Sequence, residues 1–252
     1  MKNIAVNALS RRSKRVWTTP GLGDRALILT FLANYIKKHD TDVCLHLNSS
    51  HTANGRVEKW NEIVKLVPRV SLKMHNVRAM DDSAWLEYLR AVGVDYPSLY
   101  WFTETPTISA DILIHDYLKE SPKLNAPDCS SDFELPKKYM VEQWDSTDPK
   151  RRASAEQKQQ IRQMFIDQGY ELITVGGEAT NDHAKYSLNH IAYLMANSEG
   201  FVGVNSGMFC MSHMYIDFDK IYFYGKMKQD HVKWFSTRCN YNYGVEEFKA
   251  ER

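Results

Sequence analysis

Short apolar runs alternate with stretches of helical periodicity along this chain, and that alternation limits its fold more than any other feature. Residues 3–8 read as a strand, with Ile4 and Val6 among small residues. Residues 24–38 read as a helix, because Leu27, Ile28, Phe31, Leu32 and Tyr35 recur at helical spacing. Strand candidates at 43–47 and 70–74 flank a helical stretch over 57–67 that Pro68 ends, and 83–92 is helical again. The second half is clearer. Strands are expected at 139–142, 170–175, 201–204 and 220–224. Ser154 and Gln157 have the capping-box spacing of a helix running to Gly169, and Ser187 opens another. Such an order implies an α/β fold of parallel sheets with helices on both faces.

The 252 residues leave room for two small domains, expected at 1–125 and 139–252 with 126–138 between them. That junction falls within 121–138, which has three prolines and little periodicity. With 43% hydrophobic and 25% charged residues, a disordered chain is excluded. The 32 Lys+Arg against 31 Asp+Glu argue against a generally basic nucleic-acid coat protein. The longest apolar-rich run, 26–36, is too short to span a bilayer, and no secretory leader is visible. Cys44, Cys129, Cys210 and Cys239 are scattered, so we read them as reduced, buried thiols of a cytoplasmic protein.

Four segments carry candidate chemistry. Gly21, Gly23 and Ala26 fit the dinucleotide fingerprint, but a polar, basic stretch separates them from the first strand and no carboxylate ends the second. A glycine turn into a helix, with Asp24 near its positive end, fits better than a dinucleotide site. Residues 143–152 hold Ser146, Thr147, Lys150, Arg151 and Arg152, which suit either a phosphate cradle or a solvated basic turn. Val175, Gly176, Gly177 and Glu178 run from a strand into glycines, which let a ligand approach the backbone or simply make a turn. The most specific segment is 201–208, where a buried strand enters Asn205, Ser206, Gly207 and Met208 at a helix start. Ligands of open α/β sheets bind beyond the carboxyl ends of strands. No metal site is expected. His183 with His190, and His46 with His51, lack a set completed by cysteine or carboxylate in the sequence. Trp60 and Trp85 read as core.

Taken in order, these segments resemble the GT-B glycosyltransferases, and most closely the ADP-heptose:lipopolysaccharide heptosyltransferase family. The matching positions are Gly23-Asp24, Lys150, Gly176-Gly177, Ser187-Leu188, Asn205-Ser206-Gly207 and Tyr224-Gly225. The likeness covers roughly residues 1–47 and 139–225. Two positions depart from it: the family's Asp before Ser-Gly is Asn205 here, and its His three residues after that Gly is Cys210.

The resemblance implies a GT-B fold of two small Rossmann-like domains facing a cleft. The first would be the acceptor side and the second the donor side, with the C-terminal segment returning towards the first. It implies a donor nucleotide held through Thr147, Lys150, Arg151, Gly176, Gly177, Glu178, Asn205, Ser206, Gly207 and Met208. Asp24 would be the general base of an inverting transfer, and Lys150 would neutralise the leaving group in place of a metal. No cofactor is required on this reading beyond the nucleotide-sugar donor.

Arg11, Arg12, Lys14 and Arg15, with Trp17 beside them, precede Asp24, and no acidic residue comes earlier. A cation-rich acceptor loop suggests a polyanionic acceptor. Bacteriophage glycosyltransferases that modify 5-hydroxymethylpyrimidines in DNA also use the GT-B fold. The main expectation is therefore transfer of glucose or a pentose such as arabinose, from a UDP-sugar, to 5-hydroxymethylcytosine in double-stranded DNA. Trp17 would stack on or replace an extruded base. The alternative is heptosyltransferase-like transfer to lipopolysaccharide core or another glycan. A further alternative is a nucleotide- or nucleic-acid-binding protein without catalysis.

Overall fold

A computed structural model of the chain describes residues 1–6, 22–48, 56–75, 77, 82–95, 98–101, 112–113, 117–146, 151–176, 186–224 and 240–242. Every strand pair among them is parallel. The chain divides into two compact units, Met1–Gly21 with Ile28–Leu118, and Leu22–Leu27 with Lys119–Arg252.

The first unit holds β1 (Lys2–Val6), β2 (Val43–Asn48), β3 (Val70–His75), β4 (Ser98–Trp101) and β5 (Ile112–Leu113), in the order β3-β2-β1-β4-β5. β1 and β2 pair from Lys2 with Val43 to Val6 with Leu47. Helix α1 (Leu22–His39) follows β1, α2 (Arg56–Val64) follows β2, and α3 (Asp82–Ala91) follows β3. The sequence suggests an amphipathic α1, yet it is buried continuously from Arg25 to Ile36. Asn34 tolerates this by donating from Nδ2 to the Tyr117 carbonyl at 2.7 Å. Trp60 and Trp85 are fully buried, as core residues should be.

The second unit holds β6 (Tyr139–Gln143), β7 (Glu171–Thr174), β8 (Gly200–Gly203), β9 (Ile221–Tyr224) and β10 (Asn240–Asn242), in the order β10-β9-β8-β6-β7. Helices α4 (Ala155–Ile166), α5 (Leu188–Ala196) and α6 (Gly207–Ser212) alternate with them. β6 and β8 are buried at every residue, as expected for central parallel strands covered on both faces. Met140, Trp144, Ile161, Phe165, Val202, Val204 and Tyr224 form one core cluster. α4 begins with a complete capping box, Ser154 receiving the Gln157 N–H and Gln157 reaching back to the Ser154 N–H. The proline-bearing segment packs onto this unit: Leu124 N–H donates to the Met214 carbonyl at 2.9 Å, and Lys123 pairs with Asp217 at 2.8 Å.

Candidate functional site

Each sheet reverses direction once. In the second unit, β7 lies on one side of β6, and the chain then crosses to place β8 on the other. The carboxyl ends of β6 and β8 therefore frame a topological switch point, where open α/β sheets bind their ligands. Two of the four sequence segments meet there. The Val204 N–H donates to the Gln143 carbonyl at 3.1 Å, and Ser146 Oγ donates to the Asn205 carbonyl at 3.4 Å. The strands approach so closely that a Cβ on Gly203 would lie 2.2 Å from the Gln143 carbonyl oxygen. Only glycine fits that position. Gly176, with φ of 94°, brings the end of β7 against the Gln143 side chain.

Ser206 is the N-cap of α6, with its hydroxyl receiving the Phe209 N–H at 3.2 Å. The N–H groups of Gly207 and Met208 are first-turn donors without an intrahelical acceptor. Met208 is half-buried, as are Asn205, Ser206 and Gly207. The first turn of α1 packs on this turn. A Cβ on Gly207 would lie 2.9 Å from Leu22 Cβ, and one on Gly23 would lie 3.2 Å from Cys210 Sγ. The helix turn that carries Asp24 thus belongs to the second unit and lies beside Ser206-Gly207. Asp24 itself is helical, and its side chain lies outside the described residues.

Arg152 has a structural task. Its Nε donates to the Ser146 carbonyl at 3.0 Å and its Nη2 lies 3.3 Å from Asp145. Arg151 is half-buried beside it. Thr147, Lys150, Gly177 and Glu178 lie outside the described residues, as do Arg11, Arg12, Lys14, Arg15 and Trp17. In the first unit, β1 stands between β2 and β4, so its switch point is at the end of β1. The chain leaves β1 at Val6, and the basic run follows in sequence.

Glu142, its neighbour Arg162 on α4 and the side chain of Gln143 are not singled out by any motif. Glu142 is fully buried, and its carboxylate receives the Trp144 Nε1–H at 2.8 Å and the Thr174 hydroxyl at 2.5 Å. Arg162 lies 3.5 Å from the same carboxylate. Gln143 donates from Nε2 to the Asp145 carbonyl, while its buried Oε1 has no hydrogen-bond partner among the described residues. The signal available in the sequence is a Glu-Gln pair ending an otherwise apolar strand. His213 is a core residue. It is buried between Phe209 and Phe218, its Nδ1–H donates to the Phe209 carbonyl at 2.8 Å, and burial lowers its pKa to about 4. A cavity of about 420 Å³, lined by Phe133, Arg162, Ile166, Tyr170 and Glu171 among others, opens along β7.

No family model and no curated protein sequence matches the chain. Solved structures do. The E. coli ADP-heptose LPS heptosyltransferase II aligns over 99% of this chain and 98% of its own, with a TM-score of 0.58 and 11% identity. A glycosyl transferase family 9 protein from Veillonella parvula aligns over 96% and 85%, with a TM-score of 0.55 and 13% identity. The E. coli heptosyltransferase WaaC with ADP aligns over 96% and 92%, with a TM-score of 0.53 and 13% identity. At these identities the likeness is one of fold. The fold is GT-B, and the structures that share it come from the heptosyltransferases that the sequence motifs resemble. None of the three supports the bacteriophage DNA branch of that resemblance.

Proposed function

We propose that this chain is an inverting glycosyltransferase that moves a sugar from a nucleoside diphosphate donor to a hydroxyl of a polyanionic glycan. The observation that carries the reading is the packing of the Asp24-bearing turn of α1 against the Ser206-Gly207 turn at the β6–β8 switch point. It supports reading the Asp24 turn as the base and Ser206-Gly207 as the diphosphate site, in a fold used by nucleotide-sugar transferases. The backbone N–H groups of Gly207 and Met208 receive the diphosphate, and Gln143 Oε1 offers an acceptor to a donor hydroxyl or amine. Asp24 takes the proton of the acceptor hydroxyl, whose oxygen attacks the anomeric carbon as the nucleoside diphosphate leaves. Lys150 neutralises the departing charge. Direct displacement inverts the anomeric centre.

One of the structural neighbours is named for ADP-heptose and another holds ADP, so an adenosine diphosphate donor is the first to try, ahead of a UDP-sugar. The basic run Arg11, Arg12, Lys14, Arg15 favours an acceptor bearing phosphates. A phosphorylated lipopolysaccharide core meets that electrostatic requirement as well as DNA does, and the neighbours' names favour the glycan. The test is incubation with a panel of nucleotide sugars and two acceptors, a phosphorylated core oligosaccharide and 5-hydroxymethylcytosine DNA, read by mass spectrometry. The expected result is a glycan heavier by one sugar residue. Transfer to DNA alone would replace the acceptor assignment. Donor binding without transfer or donor hydrolysis would overturn the enzymatic reading.

A further inference from the structure

The fold assembles a ligand set that the sequence spacing does not disclose. Cys129 and Asp132 lie on one turn of the proline-bearing segment, and His190 lies on α5, 58 residues beyond Asp132. The Cys129 sulfur, an Asp132 oxygen and a His190 ring nitrogen all lie within 4.8 Å of one another. We propose that these three residues bind a divalent transition metal of the zinc class, with the fourth tetrahedral position left to water. The proposal is independent of the transferase reading.

The donor set suits such an ion. A thiolate and an imidazole favour borderline-soft cations over magnesium or calcium, and a single carboxylate is compatible with zinc. Tetrahedral zinc with bonds of about 2.0–2.3 Å separates its ligands by roughly 3.3–3.6 Å. His190 Nε2 and Asp132 Oδ2 are already 3.2 Å apart, so only side-chain rotation is needed to close the set.

The scaffold is held from both sides. Asp128 receives the Ser130 N–H at 2.9 Å, and the Asp132 N–H returns to the Cys129 carbonyl at 3.0 Å, which fixes the turn presenting both ligands. The His190 N–H is capped by Ser187 Oγ at 3.2 Å. Phe133 and Tyr186 meet the imidazole edge-on, with centroids at 5.3 and 5.5 Å, and provide an apolar wall. The Asp132–His190 contact alone leaves the free, buried Cys129 thiol beside it unexplained. A cation would engage that thiol together with the carboxylate and the imidazole. Bound there, it would staple the 128–132 turn to α5 within the second unit.

The test is titration of the chelator-treated full chain with Co²⁺, followed by its thiolate charge-transfer band, and displacement by Zn²⁺. One equivalent is expected, with the band lost in Cys129→Ala and binding weakened at least tenfold in His190→Ala. Saturating Zn²⁺ should raise Tm by roughly 5–10 °C at a hundredfold excess over Kd. Zn²⁺ should also slow alkylation of Cys129 in the unmodified chain at least tenfold, read on its peptide by mass spectrometry, which needs no variant to fold. Absence of the cobalt band, its persistence in a folded Cys129→Ala variant, or unchanged alkylation of Cys129 would overturn the site.

Discussion

Glu142 puts a carboxylate at the centre of the second sheet, and its three neighbours explain how the fold tolerates it. Trp144, Thr174 and Arg162 tie it to the end of β6, to β7 and to α4. Its replacement by glutamine preserves shape but weakens the charge-assisted bonds. Glu142→Gln should destabilise the protein by about 1.5–3 kcal/mol, measured by denaturant unfolding. Gly207 makes a different residue-scale case. A methyl group there would press on Leu22 at 2.9 Å and displace the turn that carries Asp24. Gly207→Ala should cost about 1–3 kcal/mol and reduce turnover, and Leu22→Ala in the same chain should restore much of both. The Ser-Gly motif is plain in the sequence; its reason, a second helix packed on it from 180 or more positions earlier, is not. That contact depends on tertiary packing and leaves no local pattern.

At the scale of elements, the capped helices are the most legible. Ser154 and Ser187 each accept the N–H of the third residue beyond, as their spacing indicates. The weakly legible elements are β4, β5 and β10, of four, two and three residues. Runs so short have no measurable period, and their assignment rests on partners far away in sequence. The continuous burial of α1 is hidden for another reason. Thr30 and Asn34 interrupt its apolar run, yet both are buried, and Asn34 is tied to the Tyr117 carbonyl. Buried histidines at the C-cap of α6 and on β2 and β3 carry a pH prediction. Burial lowers the pKa of His213 and of His46 to about 4, and that of His75 in the same direction. His46 Nδ1 and His75 Nε2 meet at 3.0 Å, so they share at most the proton of a neutral pair. The unfolded chain binds these protons near the ordinary value of 6.5. Stability is therefore full above pH 6.5 and falls as the pH drops towards 4. The loss is on the order of 3 kcal/mol for His213 alone. Denaturant midpoints across that window should fall with acid, and His213→Gln should show a slope smaller by about one proton.

At the scale of the molecule, the described residues form two parallel sheets of five strands each, with a switch point at the end of β1 and another between β6 and β8. The first is followed in sequence by the basic run, the second by the Ser206-Gly207 turn. The α/β class was legible because strand and helix periods alternate without ambiguity in the second half. The GT-B arrangement was legible only through the order of motifs, since neither Gly-Gly nor Ser-Gly identifies a fold by itself. The acceptor was the least legible part, because a basic run reports the sign of its partner and not its chemistry. Among the described residues no helix is long and apolar enough to cross a membrane. In the proposed transferase a nucleotide sugar binds the second unit and Asp24 activates the acceptor. Donor affinity and sugar transfer measured side by side in the wild type and Asp24→Asn test it most directly. Asp24→Asn should leave donor affinity unchanged within about twofold and reduce transfer by about 10²–10⁴-fold. Equal transfer by both proteins would contradict it.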